Sequence, residues 1–364
     1  MKDPSQVHGP APMEGHGAYN RSSRVQAAGS SPAVLLLEEA ARQVSLAASL
    51  EPIVIADYGS SEGRNSLAPL SVAISILRER IGQARAISVV HTDLPGNDFS
   101  ALFQTLASDP NSYLRDDPRA FASAIGRSFY EQIMPNSSVT LGWSSWAVQW
   151  LSRVPALIPD QVQVAYSRDA AVRAAFYQQA AEDWRCFLVH RAAELKPGGR
   201  LVILSMAVDD RGDFGYRASV EAIYRSLEDL VAEGFISKPE MCRMVIPTVG
   251  RSRDNFMAPF LETGSFAGLS VGELEIFYGE DRLWKQFKEH GDAEAFGVGW
   301  AAFSRASVGP TLAASLDNSI VRAPQFLERL GARMANRLAA APEKTSMPLA
   351  KMVLVKELPV SNTC

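Results

Sequence analysis

Asp57 and Asp93 each close a short run of apolar, β-branched residues, Ile53-Val54-Ile55 and Ile87-Ser88-Val89-Val90. Each is followed by a turn-forming sequence. A carboxylate at the end of a strand accepts two hydrogen bonds from a vicinal diol, the pattern a ribose presents. After Asp57 the chain reads Gly59-Ser60-Ser61-Glu62-Gly63. That is neither the G-x-G-x-x-G of dinucleotide enzymes nor a phosphate loop with its Lys-Ser/Thr pair, so a pyrophosphate cradle is disfavoured.

An acid, a glycine turn and a second acid fit S-adenosylmethionine (SAM). That ligand carries a ribose, an adenine and a cationic sulfonium but no phosphate. On the residues alone a second reading stays open, in which both aspartates are helix caps or turn formers.

The elements that must position these residues follow from periodicity. A strand ending at Asp57, a helix over 66–81 with Leu70, Ile74 and Leu77 on one face, and a strand over 86–92 make a β-turn-α-β unit. That unit opens a doubly wound parallel sheet, whose ligands bind beyond the C-terminal strand ends. Further strands are expected at 138–143, 200–207 and 350–356, and helices at 31–50 and 169–195. Lys196-Pro197-Gly198-Gly199 marks a helix stop and a turn into a strand. An amphipathic helix is expected over 324–338, opened by Pro324, with Arg329, Arg333 and Arg337 as a solvated basic stripe. Residues 1–17 are read as a mobile N-terminal segment, in which Met13 is an alternative start. Residues 18–208 and 311–364 are assigned to the sheet domain, and 209–310 to a mostly helical cap over the sheet's edge.

Composition narrows the function classes. The chain has 364 residues, 47% of them hydrophobic, and a net charge of −4. It lacks the basic excess of a nucleic-acid binder. Three widely spaced cysteines, Cys186, Cys242 and Cys364, form no CxxC pair, so neither a disulfide framework nor a cysteine-rich zinc site is expected. With no span long enough for a bilayer and no apolar leader, a cytoplasmic protein with neither membrane nor metal partner is expected.

Five segments carry a family resemblance. Tyr19 through Gln26 reads YNRSSRVQ, and residues 56–65 read ADYGSSEGRN. Asp93 through Phe99 reads DLPGNDF, residues 126–130 read GRSFY, and residues 144–155 read SSWAVQWLSRVP. In this order they resemble SYxxNSxxQ, ADLGCSSGPN, DLPGNDF, PGSFY and SSYSLxWLSxVP of the SABATH family of SAM-dependent carboxyl methyltransferases, and a bacterial member is expected. The resemblance implies a Rossmann-like class I methyltransferase sheet with a mostly helical cap (fold class α/β), SAM as cofactor with S-adenosylhomocysteine (SAH) as product, and a homodimer.

Residue by residue it implies that Ser23, Asp57, Gly59, Asn65, Asp93, Leu94, Ser128 and Phe129 hold SAM. Gln26 and Trp150 fall on a clamp for the acceptor carboxylate, and Tyr19, Trp143 and Trp146 on the acceptor site. Phe129 offers an aromatic face to adenine or to the cation. The implied reaction is methyl transfer to a carboxylate oxygen of a small hydrophobic or aromatic acid. A carboxylate is already ionised at neutral pH, so no catalytic base is required. The alternative is transfer to a hydroxyl or a ring nitrogen, for which His16 is the base. Glu14 departs from the family pattern and would repel a carboxylate if it lined the site. His91 and His190 are read as structural.

Overall fold

β-Branched runs in the first half of the chain align as parallel strands, and the segments between them coil into helices that cover both faces. The computed structural model describes residues 10–15 and 24–358, with 24–31 as backbone alone. In chain order the elements are α1 (Arg24–Gln43), β1 (Ile53–Tyr58), α2 (Arg64–Ile81), β2 (Ile87–Asp93), α3 (Phe99–Ser108), α4 (Tyr113–Asp116), β3 (Ala120–Gly126), β4 (Val139–Ser145), α5 (Ala170–Glu194) and β5 (Leu195–Met206). Then follow α6 (Arg217–Ala232), α7 (Lys238–Arg243), α8 (Arg253–Met257), β6 (Ser265–Phe266), β7 (Leu269–Tyr278), α9 (Arg282–His290), α10 (Ala293–Ala313), α11 (Ser319–Ala340) and β8 (Pro348–Lys356).

The strands form one eight-stranded sheet in the order β3-β2-β1-β4-β5-β8-β7-β6. β1 to β5 are parallel, β8 runs antiparallel to β5, and β7 antiparallel to β8. The order reverses between β1 and β4, where Asp57 sits beside Trp143. A crevice at such a reversal, beyond the carboxyl ends of the strands, is where doubly wound sheets bind ligands.

The two-residue period of a strand divides the core. Ile53 and Ile55 of β1 pack with Leu37 of α1 and Leu70 of α2 on one face. Ala56 and Tyr58 pack with Trp184 and Phe187 of α5 on the other. A separate apolar core, with Ile223, Leu227, Trp300, Phe326 and Leu330, joins α6, α10 and α11 into a cap.

The expected division at 209–310 is not where the structure puts it. Residues 265–278 form the β6–β7 hairpin and extend the sheet, while α11, assigned to the sheet domain, packs on α10 and α6 of the cap. β7 hid as a strand because a register shift between Val271 and Glu273 breaks its alternation in two, so that Val271 and Leu274 fall out of phase; Glu273 and Glu275 on the second half are charged. Lys351 of β8 compensates them, 2.7 Å from Glu275. Pro324 does not open α11 but lies inside it. The basic stripe of α11 leans on the end of α6, where Arg333 pairs with Glu233 and Arg337 with Asp229.

Candidate active site

Four loops converge beyond the strand ends, one after each of β1, β2, β3 and β4. They line a cavity of about 680 Å³ bounded by Gly59, Ser61, Asp93, Leu94, Ser128, Phe129, Trp146 and Trp150. The turn after β1 needs glycine at 59. Its φ is +88°, and a Cβ there would lie 2.5 Å from the Cβ of Ala147 on the loop after β4. Ser61 is also left-handed, at φ 49°. Its N–H donates to Asp93 Oδ2 at 2.7 Å, and its carbonyl accepts from Asn97 Nδ2 at 2.9 Å.

Asp93 is half-buried, its open edge facing the cavity. Its other oxygen, Oδ1, accepts from the N–H of Leu94 at 2.8 Å. Each carboxylate oxygen thus has one backbone donor and a lone pair left over for a ligand. Burial pushes this carboxyl up to about 6 against the pull of the two N–H donors.

The loop carrying Ser128 and Phe129 is held from behind by α5. Arg191 donates to the carbonyl of Phe129 at 2.6 Å and to that of Glu131 at 2.8 Å. The fully buried Glu194 accepts from Arg191 at 2.8 Å, from Tyr58 Oη at 2.7 Å and from the N–H groups of Ile133 and Met134. A buried ion pair of this kind is stable because its lone pairs are filled. Two hydroxyls on the cavity wall are buried without a partner, Ser61 Oγ and Ser145 Oγ. A ligand with polar groups at several points would satisfy them, and SAM with its ribose, amino and carboxylate groups has that character.

A second cavity, of about 660 Å³, lies between the sheet and the cap. Its sheet side is Trp146, Gln149, Trp150 and Met206, and its cap side is drawn from α6 and α10. Met13, Trp146 and Trp150 line both cavities. Met13 belongs to the segment 10–15, whose residues 10–13 also wall the first cavity. That segment is fastened to α10: Ala11 N–H donates to Thr311 Oγ1 at 3.3 Å, and Glu14 N–H to the carbonyl of Ala306 at 3.2 Å. The Glu14 carboxylate takes Arg305 Nη2 at 2.8 Å. Glu14 is therefore turned to Arg305, lines neither cavity, and does not oppose an acceptor carboxylate.

Of the residues expected to hold SAM, the structure gathers Gly59, Asp93, Leu94, Ser128 and Phe129 in the first cavity. Asp57 is corrected. Its carboxylate is 1% exposed and lies 2.8 Å from His91 Nδ1, while His91 Nε2 lies 2.8 Å from Tyr113 Oη. Register explains it, because Asp57 and His91 are neighbours on the β1–β2 ladder and face the same core. Trp143 is also corrected, being a fully buried core residue of β4 that lines neither cavity. Asn65 stands on the first turn of α2, away from both cavity walls.

Tyr19, Ser23 and His16 lie outside the described residues, and Gln26 is described as backbone of α1 alone. Missed by sequence reasoning were Met13 as a wall residue, Ser61, Ser145 and Ala147 in the first cavity, and the α6 and α10 side of the second. Ser61 sat inside a quoted motif. The cap residues carry no motif at all. Among the described residues no group of three His, Cys, Asp or Glu is placed to hold a metal ion, and no helix is long and apolar enough to cross a membrane.

A family model described as SAM dependent carboxyl methyltransferase matches residues 9–357. The chain is 30% identical over 279 residues to salicylate carboxymethyltransferase of Clarkia breweri, which covers 74% of this chain and 76% of that one. It is 26% identical over 368 residues to indole-3-acetate O-methyltransferase 1 of Arabidopsis thaliana, covering 94% and 90%. A methyltransferase of Fusarium sp is 29% identical over 245 residues, covering 66% and 64%. Among solved structures, loganic acid methyltransferase with SAH shares the fold, at a TM-score of 0.76 and 20% identity over 96% of this chain and 100% of that one.

Proposed function

The chain belongs to the SAM-dependent carboxyl methyltransferase family, and on that premise we propose that it methylates the carboxylate of a small hydrophobic or aromatic acid. It is a SAM-dependent methyltransferase, and SAM is its methyl donor. The observation that carries the acceptor assignment is the meeting of the two cavities at Met13, Trp146 and Trp150. One cavity has the carboxylate and loops suited to SAM. The other is an apolar chamber that shares these three wall residues with the first.

SAM would be held by Asp93 through its ribose hydroxyls, by the turn at Gly59 and Ser61, and by Leu94, Ser128 and Phe129. When bound it supplies an electrophilic methyl group on a cationic sulfur. The walls of the second cavity would strip water from the acceptor and fix its carboxylate against the junction, where the indole N–H of Trp150 would orient it; the family resemblance adds Gln26 to this clamp. One acceptor oxygen forms the new bond to the methyl carbon as the carbon–sulfur bond breaks, and the electron pair stays on sulfur. No proton moves. Alignment of two reactants in this way contributes on the order of 7–11 kcal/mol.

The acceptor side agrees with a reaction that needs no base. Among the described residues lining the second cavity there is no Asp, Glu, Lys or His. Glu14, one residue that would favour transfer to a hydroxyl or a nitrogen, is engaged by Arg305, and His16, the base for that reading, lies outside the described residues. A homodimeric, cytoplasmic enzyme belongs to the same proposal, resting on the family resemblance and on the unpaired cysteine spacing. The relatives named above are from plants and fungi, so a bacterial source has no support from them. Incubation with labelled SAM and a panel of small acids is expected to yield a base-labile methyl ester. Label transferred only to base-stable products would sink the carboxyl assignment.

A further inference from the structure

The cap wall of the acceptor cavity holds two hydroxyls with nothing to bind. Tyr216 and Ser219 both line the cavity, each 4% exposed, and Tyr216 Oη and Ser219 Oγ are buried without a hydrogen-bond partner. Tyr216 is the residue that caps α6 and Ser219 stands on its first turn, and both border the same cavity.

The other polar side chains of this cavity whose bonds are seen are spent inside the protein. Gln149 donates to the carbonyl of Trp146 at 2.6 Å and accepts from Ser205 Oγ at 3.2 Å. Gln163 donates to the carbonyl of Thr248 at 2.8 Å and accepts from the N–H of Ala165 at 2.5 Å. Ser307 donates to the carbonyl of Phe303 at 2.7 Å.

Tyr216 is also held in a costly conformation. Its φ is 60° and ψ 15°, the left-handed region that bulky side chains avoid. Strain of this kind persists where the surroundings impose it, and it gathers at ligand sites. Here its N–H is tied to the carbonyl of Ser346 at 3.1 Å, and its ring packs between Phe214 and Trp300. Phenylalanine at this position would fill the same space without an unmet hydroxyl. Burial pushes the phenol up, so it stays neutral and able to donate.

We propose that Tyr216 and Ser219 form a polar subsite for a second oxygen function of the methyl acceptor, a hydroxyl or a carbonyl remote from its carboxylate. The inference rests on the carboxyl-transfer reading, which places the acceptor's carboxylate at the junction on the sheet side. The subsite lies on the cap side. The acceptor is then a bifunctional acid, with an apolar body between a carboxylate and a hydrogen-bonding oxygen. A plain hydrocarbon acid would leave both hydroxyls stranded, and a buried polar group left unpaired is what discriminates most strongly against an analogue.

The test uses matched acids that differ only in the remote oxygen: phenylacetate against 4-hydroxyphenylacetate, and octanoate against 8-hydroxyoctanoate. Binding to the SAH-loaded enzyme is measured by calorimetry, and ester formation separately with labelled SAM. In the unaltered protein the oxygenated member of at least one pair is expected to bind about tenfold tighter, as one net hydrogen bond allows. Tyr216→Phe and Ser219→Ala are each expected to shrink that preference to under about threefold. Neither is expected to lower the melting temperature of the ligand-free protein, which a structural role for the hydroxyls would do. Equal or tighter binding of the plain acid in every pair overturns the subsite, as does a preference that survives both substitutions, or binding of neither member of any pair. Plain acids esterified without preference refute the subsite alone. Bound acids with the preference intact but no ester refute the carboxyl-transfer reading and leave the subsite standing.

Discussion

Replacing Asp93 with Asn isolates the contribution of one carboxylate to cofactor binding. Each oxygen of Asp93 already accepts one backbone N–H, from Ser61 at 2.7 Å and from Leu94 at 2.8 Å. One lone pair per oxygen remains for the two ribose hydroxyls. Asparagine keeps the shape, but one of its two positions becomes an NH₂ that faces a backbone N–H donor to donor. The variant loses one charge-assisted hydrogen bond and weakens the other. At about 1.5–3 kcal/mol for a bond to a charged group, the loss is about 2–4 kcal/mol, or roughly 30- to 900-fold in the Kd of SAH.

Calorimetric titration with SAH at pH 8 reads this directly, and pH gives a second reading. With the carboxyl of the ligand-free protein near 6, protonation below that value turns one acceptor oxygen into a donor. Wild-type affinity for SAH is expected to fall about tenfold per pH unit below 6, while that of Asp93→Asn stays level. The stability sign runs the other way. The folded value lies above the ordinary 3.8, so between about pH 4 and 6 the ligand-free fold binds more protons than the unfolded chain. This group's contribution to stability therefore declines as pH rises through that window and is constant above it. A Kd for Asp93→Asn within fivefold of wild type at pH 8, or a flat wild-type profile from pH 8 to 5, would refute the reasoning.

Three further substitutions and one control probe the frame of the site. Gly59→Ala puts a Cβ 2.5 Å from Ala147 at a φ of +88°; we expect loss of SAH binding and about 2–4 kcal/mol of stability in urea. Gly212→Ala, at φ +77° with nothing near, serves as its control and is expected to cost about 1 kcal/mol. Tyr113→Phe leaves His91 Nε2 unpaired in a fully buried position and is expected to cost about 1–3 kcal/mol; a change under 0.5 kcal/mol (on the order of ordinary surface substitutions) would show that the bond contributes nothing net. Arg305→Ala frees Glu14, and since the pair is partly exposed the stability change is expected to be under about 1 kcal/mol. Its effect belongs in the KM values for both substrates, raised about three- to tenfold together, and steady-state kinetics at low and high salt checks it.

Legibility in the sequence followed the scale of the interactions. The β1 and β2 units were readable because their apolar runs are buried on both faces and end in turn chemistry. Asp93, Gly59, Ser128 and Phe129 were readable because each sits in a short motif at a strand end. Asp57 sat in an equally good motif, yet register turned its carboxylate to His91, and a pairing between strands leaves no trace in local spacing. Trp143 directly precedes the motif that carries Trp146, but β4 runs through 143 in the core, and the chain turns outward only at Trp146, in a left-handed conformation at φ 57°. β3 escaped notice because Ala120-Phe121-Ala122-Ser123-Ala124 is built of small residues on an edge strand. The acceptor wall was the least legible part. Met206 of β5, Tyr216 and Ser219 at the start of α6, and Ser304 of α10 come from three separate elements and meet only through the packing of the cap.

The segment bearing Met13 gives both chambers a common door. Its residues 10–13 wall the cofactor cavity, Met13 also walls the acceptor cavity, and its bonds run to one helix, α10. A movement that lifts it unseals both compartments in one stroke. Ester and spent cofactor would then share one exit rather than leave by two.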